Sequence, residues 1–254
     1  MLELHNIYKS FSERSRPVLN GVNLKLEKEE FCVLIGDNGS GKSTLIKSIS
    51  GEHFPDSGLI TLNGQNITYL PIHKRAKLIS TVSQDINKGT VQSMTLFENL
   101  SLSYLRNKNA SYACYQKHKE QLTEKIECLG LKNYIDMPMS TLSGGQQQII
   151  ATIMATLSTP ALLLLDEHCS ALDPKASENL MKYTTKIIER LSITTLMITH
   201  NLNDAIRYGN RLIKMQDGKI VLDVKGNDKK NLTAQQLYDL FNNDKGRHND
   251  SDLF

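Results

Sequence analysis

The sequence predicts an α/β fold with a mixed, mostly parallel core sheet, an antiparallel β-subdomain and an inserted helical subdomain. Three patterns carry that prediction. Phe31-Cys32-Val33-Leu34-Ile35 is apolar at every position, as a strand covered on both faces must be, and it runs straight into glycine. Leu162-Leu163-Leu164-Leu165 and Thr194-Thr195-Leu196-Met197-Ile198 are short apolar runs on either side of a helical stretch, 174–191, the spacing of parallel strands joined by a crossover helix. Residues 2–26 instead alternate apolar and polar positions around a turn-rich gap at 10–17, which suits antiparallel strands.

The elements follow in order. The antiparallel strands flank the first buried strand, and Ile60-Thr61-Leu62 continues their pattern into an Asn63-Gly64 turn, so a small sheet wraps one end of the core. Over 94–131 the chain turns polar, with Leu96, Leu100, Leu122, Ile126 and Leu129 at helix-like intervals around an Asn107-Lys108-Asn109 break. This is the inserted helical subdomain, reaching over about residues 90–160. Asp217-Gly218 joins 211–215 to 220–224 as a hairpin, and 233–241 reads as a short amphipathic helix. One domain over 1–241 is therefore expected, with a polar tail at 242–254 that frays.

A chain of 254 residues suffices for one large domain with a sizeable core, whereas two would be cramped. Thirty Lys and Arg against 27 Asp and Glu leave a net charge of +3, which neither demands nor excludes nucleic acid; no strongly basic stripe stands out, and no nucleic-acid partner is expected. The longest apolar runs, such as 161–165, fall far short of the roughly 18 residues that cross a bilayer. The opening Leu2-Glu3-Leu4-His5-Asn6-Ile7 is strand-like, with no basic segment leading into an apolar one, so a soluble or peripheral chain without an export leader is expected. Cys32, Cys114, Cys128 and Cys169 show no C-x-x-C spacing, which suits reduced thiols in a cytosol and no metal cluster.

The chemistry begins at Gly36-Asp37-Asn38-Gly39-Ser40-Gly41-Lys42-Ser43, the pattern G-x-x-x-x-G-K-[ST], with Thr44 continuing into a helix. Glycines let successive backbone N–H groups close on one anion, and the helix start adds roughly half a unit of positive charge. Phosphate is the natural ligand. Lys42 has the reach to meet terminal phosphates as a point charge, and the Ser43 hydroxyl to ligate the magnesium that bridges them.

A second motif narrows the class. Leu142-Ser143-Gly144-Gly145-Gln146 would arise from composition in roughly one chain in a few thousand. Ser143 reads locally as the N-cap of a helix starting near Gln146. Together the two motifs resemble those of the ATP-binding-cassette (ABC) ATPase family, and the resemblance runs from about Leu2 to about Val224. It implies a P-loop NTPase fold, ATP and Mg2+ as ligands, and a head-to-tail dimer with a second copy of the chain. In that dimer Ser143, Gly144, Gly145 and Gln146 meet ATP held by the partner.

Other family motifs match residue by residue. Leu162-Leu163-Leu164-Leu165-Asp166-Glu167 resembles the Walker B strand, which implies that Asp166 holds magnesium through water and that Glu167 deprotonates the attacking water. Gln84, in Thr81-Val82-Ser83-Gln84-Asp85, resembles the magnesium-sensing Q-loop glutamine. His200 ends Met197-Ile198-Thr199-His200, where the family places a switch histidine against the γ-phosphate. Asp173, in Ser170-Ala171-Leu172-Asp173, resembles the D-loop that crosses the dimer interface, and Phe11 falls where members stack an aromatic on adenine. A buried strand-end residue is the alternative for Phe11. Two departures stand out. Gln147-Gln148-Ile149 replaces a segment usually containing Arg, and His168 replaces the usual Pro, as a turn residue satisfied by local backbone or as a hydrogen-bond partner near the catalytic acid.

A solitary cassette with an ordinary helical insertion resembles the motor subunit of a transporter. This implies separate integral-membrane permeases, an indirectly linked substrate-binding lipoprotein, and a peripheral place on the cytoplasmic face of the cell membrane. Segments 166–175 and 199–212 resemble the ATPase subunits that accompany tryptophan- and tyrosine-type binding proteins of Gram-positive bacteria, so import of an aromatic amino acid is expected. A transporter for another solute, an exporter, or a soluble single-cassette assembly factor is the alternative.

Overall fold

The computed structural model describes residues 1–12, 16–106, 118–127, 129–233 and 235–238. In chain order, β1 (Leu2–Lys9), β2 (Leu19–Leu26) and β3 (Phe31–Gly36) lead into α1 (Lys42–Ser50), then β4 (Ser57–Leu62), β5 (Gln65–Asn66) and α2 (Ile72–Arg75). Next come β6 (Ile79–Ser83), α3 (Leu96–Leu105), α4 (Lys119–Glu127), α5 (Gly144–Thr156), β7 (Leu162–Asp166) and α6 (Pro174–Leu191). The chain continues through β8 (Thr195–Ile198), α7 (Leu202–Arg207), β9 (Arg211–Gln216), β10 (Lys219–Lys225) and α8 (Gly226–Lys230).

The strands form two sheets. β1 and β2 flank β3 only in sequence; they pair with each other in an antiparallel sheet of order β2-β1-β4-β5. A bulge around Asn6, at φ +47°, shifts the alternation of β1, which is why Leu2, Leu4 and Ile7 rather than every second residue are buried. The second sheet has the order β10-β9-β3-β8-β7-β6, with β9, β3, β8, β7 and β6 parallel and β10 antiparallel at the edge. Asp217 and Gly218 both have positive φ, as the two central residues of a type I′ hairpin turn require.

Period-two geometry explains the continuous apolar runs. Cys32 and Leu34 of β3, with Leu162 and Leu164 of β7, face a core completed by α1 (Leu45, Ile46, Ile49) and the antiparallel sheet. Val33 and Ile35, with Leu163 and Leu165, face the other way, onto Ala151, Ala155, Met181 and Ile188 of α5 and α6. A third core joins Leu96 and Leu100 of α3, Leu122 and Ile126 of α4, and Ile150 and Ile153 of α5. α5 thus carries apolar residues on two sides and ties the helical layer to the sheet. Truncating a residue in the doubly covered sheet, as in Leu164→Ala, should cost about 2–5 kcal/mol.

Buried polar side chains brace this frame. Arg75, fully buried, donates to the carbonyls of Leu70 and Thr68 and to those of Ser48 and Ile49 at the end of α1. Lys229 of α8 donates to the carbonyls of Ile206, Tyr208 and Gly209, fastening the end of α7. Neither is visible in the periodicity of the sequence. Residues 235–238 are helical and Leu237 is buried in the second core, while the remainder of the expected 233–241 helix, the 242–254 tail, the 107–109 break, Cys114 and Cys128 lie outside the described residues.

Candidate functional site

Parallel pairing brings four chain segments to one edge. Leu34 pairs with Ile198, Ile198 with Asp166, and Asp166 with Ser83. The C-terminal ends of β3, β8, β7 and β6 therefore lie side by side, at the roughly 4.8 Å spacing of neighbouring strands. The loops leaving them carry Asp37 to Gly41, His200, Glu167 and Gln84 respectively, at the strand ends where open α/β sheets bind ligands.

The first loop is shaped by close approach. Gly41 sits at φ +103°, and a Cβ there would lie 2.6 Å from the Val18 carbonyl oxygen, so only glycine is accommodated. Gly41 is also the N-cap of α1, and no side chain caps the first amides of that helix. The Ser40 hydroxyl is buried without a hydrogen-bond partner. An anion at this helix start would satisfy both deficits, so the loop fits a phosphate.

Lys42 lies over the loop it follows. Its ammonium donates to the carbonyls of Gly36 at 2.7 Å and Asp37 at 2.9 Å. Burial lowers its pKa, while Glu167, Asp37 and Asp166 oppose that shift. Ser43 is exposed at the same helix start.

On β7, burial first and the neighbouring Glu167 second push the Asp166 carboxyl above its ordinary pKa. Ser43, Asp166 and Gln84 carry hard oxygen donors of the kind that suits magnesium, which keeps several waters of its own. Among the described residues no cluster of three or more His, Cys, Asp or Glu stands at metal-ligand spacing.

Glu167 adopts φ +48°, a strained choice for glutamate. Its N–H donates to the Ile198 carbonyl at 3.2 Å, and its own carbonyl accepts from the N–H and hydroxyl of Ser170. The carboxylate Oε2 lies 3.4 Å from His200 Nδ1, joining the ends of β7 and β8. His168 is 3% exposed, and burial pushes its pKa down to about 4, so the ring is neutral. Its Nε2 lies 3.6 Å from the Cys169 thiol, so the neighbour of the ring is that sulfur rather than local backbone.

Other expected residues are placed apart from this edge or occupied elsewhere. Ser143 caps α5, which begins at Gly144 rather than near Gln146; its hydroxyl accepts from Gln146 N–H and its own N–H donates to Gln146 Oε1. No hydrogen bond or ion pair among the described residues joins Ser143, Gly144, Gly145 or Gln146 to Gly36, Asp37, Asn38, Gly39, Ser40, Gly41, Lys42, Ser43 or Thr44. Asp173 caps α6 by accepting from Lys175 and Ala176 N–H groups. Phe11 is 58% exposed and edge-on to His53 at 5.2 Å, which rejects the buried alternative. Gln84 is exposed.

One connection had no sequence signal. Gln148, 1% exposed on α5, donates through Nε2 to the Ser83 carbonyl, the residue before Gln84. It lies about one turn into α5 from Gly144, and nothing local names its partner.

Fold and site together define an α/β protein with a phosphate-shaped glycine loop and an Asp-Glu pair at the end of a buried strand. Residues 19–170 match the family described as "ABC transporter". The chain is 44% identical over 248 residues to a "Tyrosine transport ATP-binding protein" of Clostridioides difficile, covering 95% of this chain and 98% of that one. It is also 33% identical to a spermidine/putrescine import ATP-binding protein of Spiroplasma citri, across 87% of this chain but only 60% of that longer protein. Among solved structures, a dimeric ATP-binding cassette in a post-hydrolysis state with ADP and Pi superposes at a TM-score of 0.74, with 28% identity over 89% of this chain and 98% of that one. A cassette of the cbiONQ transporter complex from Clostridium perfringens gives 0.78, with 25% identity over 97% of this chain and 96% of its own. The chain belongs to the ABC transporter family. It is an ATP-binding, magnesium-dependent ATPase of that family. No helix among the described residues is long and apolar enough to cross a membrane.

Proposed function

We propose that this ATPase is the motor of a bacterial importer for an aromatic amino acid of the tyrosine type, docked on separate permease subunits at the cytoplasmic face of the membrane. One observation carries the chemistry: the phosphate-shaped loop, Asp166, Glu167 and His200 converge on one sheet edge, with Glu167 and His200 3.4 Å apart. The solute reading is supported by the tyrosine-transport relative, which matches across nearly the full length of both chains. A substrate-binding lipoprotein would deliver the solute to the permease, and nucleic acid has no part.

In this reading the amides of Gly39, Ser40 and Gly41 and the start of α1 hold the phosphates, with Asp37, Asn38 and Thr44 lining the loop. Lys42 exchanges its contacts with the Gly36 and Asp37 carbonyls for phosphate oxygens. Ser43, Asp166 and Gln84 hold magnesium, which when bound neutralises charge on the phosphates. Glu167 takes a proton from the attacking water, and His200 steadies that carboxylate and donates toward the γ-phosphate. Phe11 packs on the adenine. Ser143, Gly144, Gly145, Gln146 and Asp173 act on the nucleotide of a second copy. Their lack of bonds to this chain's own loop and the dimeric cassette among the structural neighbours both support that arrangement.

The test is uptake. Cells lacking this chain should lose accumulation of labelled tyrosine and regain it with the wild-type sequence, and the tagged protein should bring a permease out of gently solubilised membranes. Unchanged uptake of tyrosine and tryptophan, with another solute lost, would move the motor to a different importer. Recovery with soluble partners alone would leave the ATPase and end the transporter reading.

A further inference from the structure

We propose that Gln148 is a positioning residue for the magnesium site, holding the peptide plane from which Gln84 extends. The proposal rests on the reading of Gln84 as a magnesium ligand. Gln148 is 1% exposed on α5, and its Nε2 donates to the Ser83 carbonyl at 3.0 Å. That carbonyl and the Gln84 N–H belong to one planar peptide unit, so a donor fixed on the carbonyl sets the direction in which Gln84 leaves β6. On the far side of Gln84, the Ser83 hydroxyl donates to the Asp85 carbonyl at 3.0 Å. The backbone is thus held before and after Gln84, while the residue itself is exposed at the strand end.

Packing puts Gln148 within reach of that carbonyl. Gln148, Ala151 and Ala155 stand at i, i+3 and i+7 on one face of α5. The two alanines share the second core with Val82, and side chains this small let the helix approach β6 closely. In the sheet, β3, β8 and β7 each have a strand on both sides, whereas β6 is an edge strand with β7 alone beside it, Ser83 standing opposite Asp166. The end of β6 therefore lacks a restraint that the other three strand ends have, and α5 supplies it through Gln148. Stability alone does not account for an amide here. The Gln148 Oε1 is buried with no hydrogen-bond partner among the described residues, and a buried orphan acceptor is destabilising. Glutamine keeps its donor on Ser83 at that cost, as residues retained for function do.

Magnesium dependence tests the role. Phosphate release at saturating ATP should be followed while Mg2+ is titrated into Gln148→Met, Gln84→Ala and the double variant; methionine keeps the length of the side chain and removes the donor. We expect Gln148→Met to need about tenfold more Mg2+ for its half-maximal rate and to regain the wild-type maximum at high Mg2+. A fluorescent ATP analogue should bind that variant as it binds the wild type in EDTA and more weakly in Mg2+, a reading that needs no turnover and reports that the variant folds. Gln148→Asn, one methylene too short to reach the carbonyl, should show the same shift, so the test does not depend on the methionine variant alone. The double variant should need no more Mg2+ than Gln84→Ala, because Gln148 acts through Gln84. Wild-type Mg2+ demand in Gln148→Met, analogue binding weakened equally in EDTA and in Mg2+, or additive shifts in the double variant overturns the proposal. Wild-type Mg2+ demand in Gln84→Ala instead removes Gln84 from the magnesium site, so the two readings fail separately.

Discussion

Two glycine-rich turns open helices in this molecule, and their polar groups are engaged very differently. At α1 the N-cap is Gly41, no side chain caps the first amides, and the Ser40 hydroxyl is buried and unpartnered. At α5 the N-cap is Ser143, closed into a reciprocal box with Gln146. The first turn is left incomplete for a ligand. The second is complete within its own chain, and the proposed function assigns it to the nucleotide of a second copy. Similar sequences thus produce one turn left open and one closed within its own chain.

The largest expected effect separates binding from catalysis. Lys42→Ala should lower steady-state phosphate release by about 10²–10³-fold and weaken nucleotide binding by the isolated chain. Gln146→Ala should leave that binding unchanged; if the two variants bind equally poorly, the comparison breaks. Next come the glycines. Gly41→Ala should destabilise the fold by about 1–3 kcal/mol, since it strains φ and meets the Val18 carbonyl. Gly145 has no positive φ and its added Cβ would meet only Ala176 Cβ at 3.2 Å, so Gly145→Ala should stay within about 1 kcal/mol in denaturant unfolding.

The two serines should respond with opposite signs. Ser143→Ala removes a cap and should cost about 1 kcal/mol. Ser40→Ala removes an orphaned buried hydroxyl and should stabilise the nucleotide-free protein by about 1 kcal/mol while weakening ATP binding. Two aspartates sharpen the contrast further. The Asp166 carboxyl is raised in the folded state, so the fold binds its proton more tightly than the unfolded chain, and stability falls as pH rises above the unfolded value of about 3.9. Asp166→Asn should therefore raise the melting temperature near neutrality, with the gain vanishing in acid. Asp173→Asn, at a cap already formed, should bring no such gain.

Where the sequence was informative, local rules were at work. The apolar run before Gly36, the Asp217-Gly218 hairpin and the 174–191 helix each follow from periodicity or turn chemistry within a few residues, and the structure has them at those positions. The resemblance supplied the order of motifs, and strand pairing brought Gln84, Glu167 and His200 to one edge with the phosphate loop. What remained hidden depends on partners far away in the chain. The inward fold of Lys42, the exposure of Phe11, the bond from Gln148 to the Ser83 carbonyl and the four carbonyls around Arg75 are all consequences of packing. Periodicity reports which face is buried, and it is silent on which acceptor a buried donor finds.

The left-handed backbone at Glu167 has a consequence for laboratory evolution. Its backbone position favours glycine or asparagine over glutamate by about 1 kcal/mol or more, so with the proposed role of Glu167 stability and turnover select in opposite directions at this residue. A library screened only for heat resistance should accumulate inactive winners at position 167, and an unbiased search for robust variants has to score phosphate release in the same round.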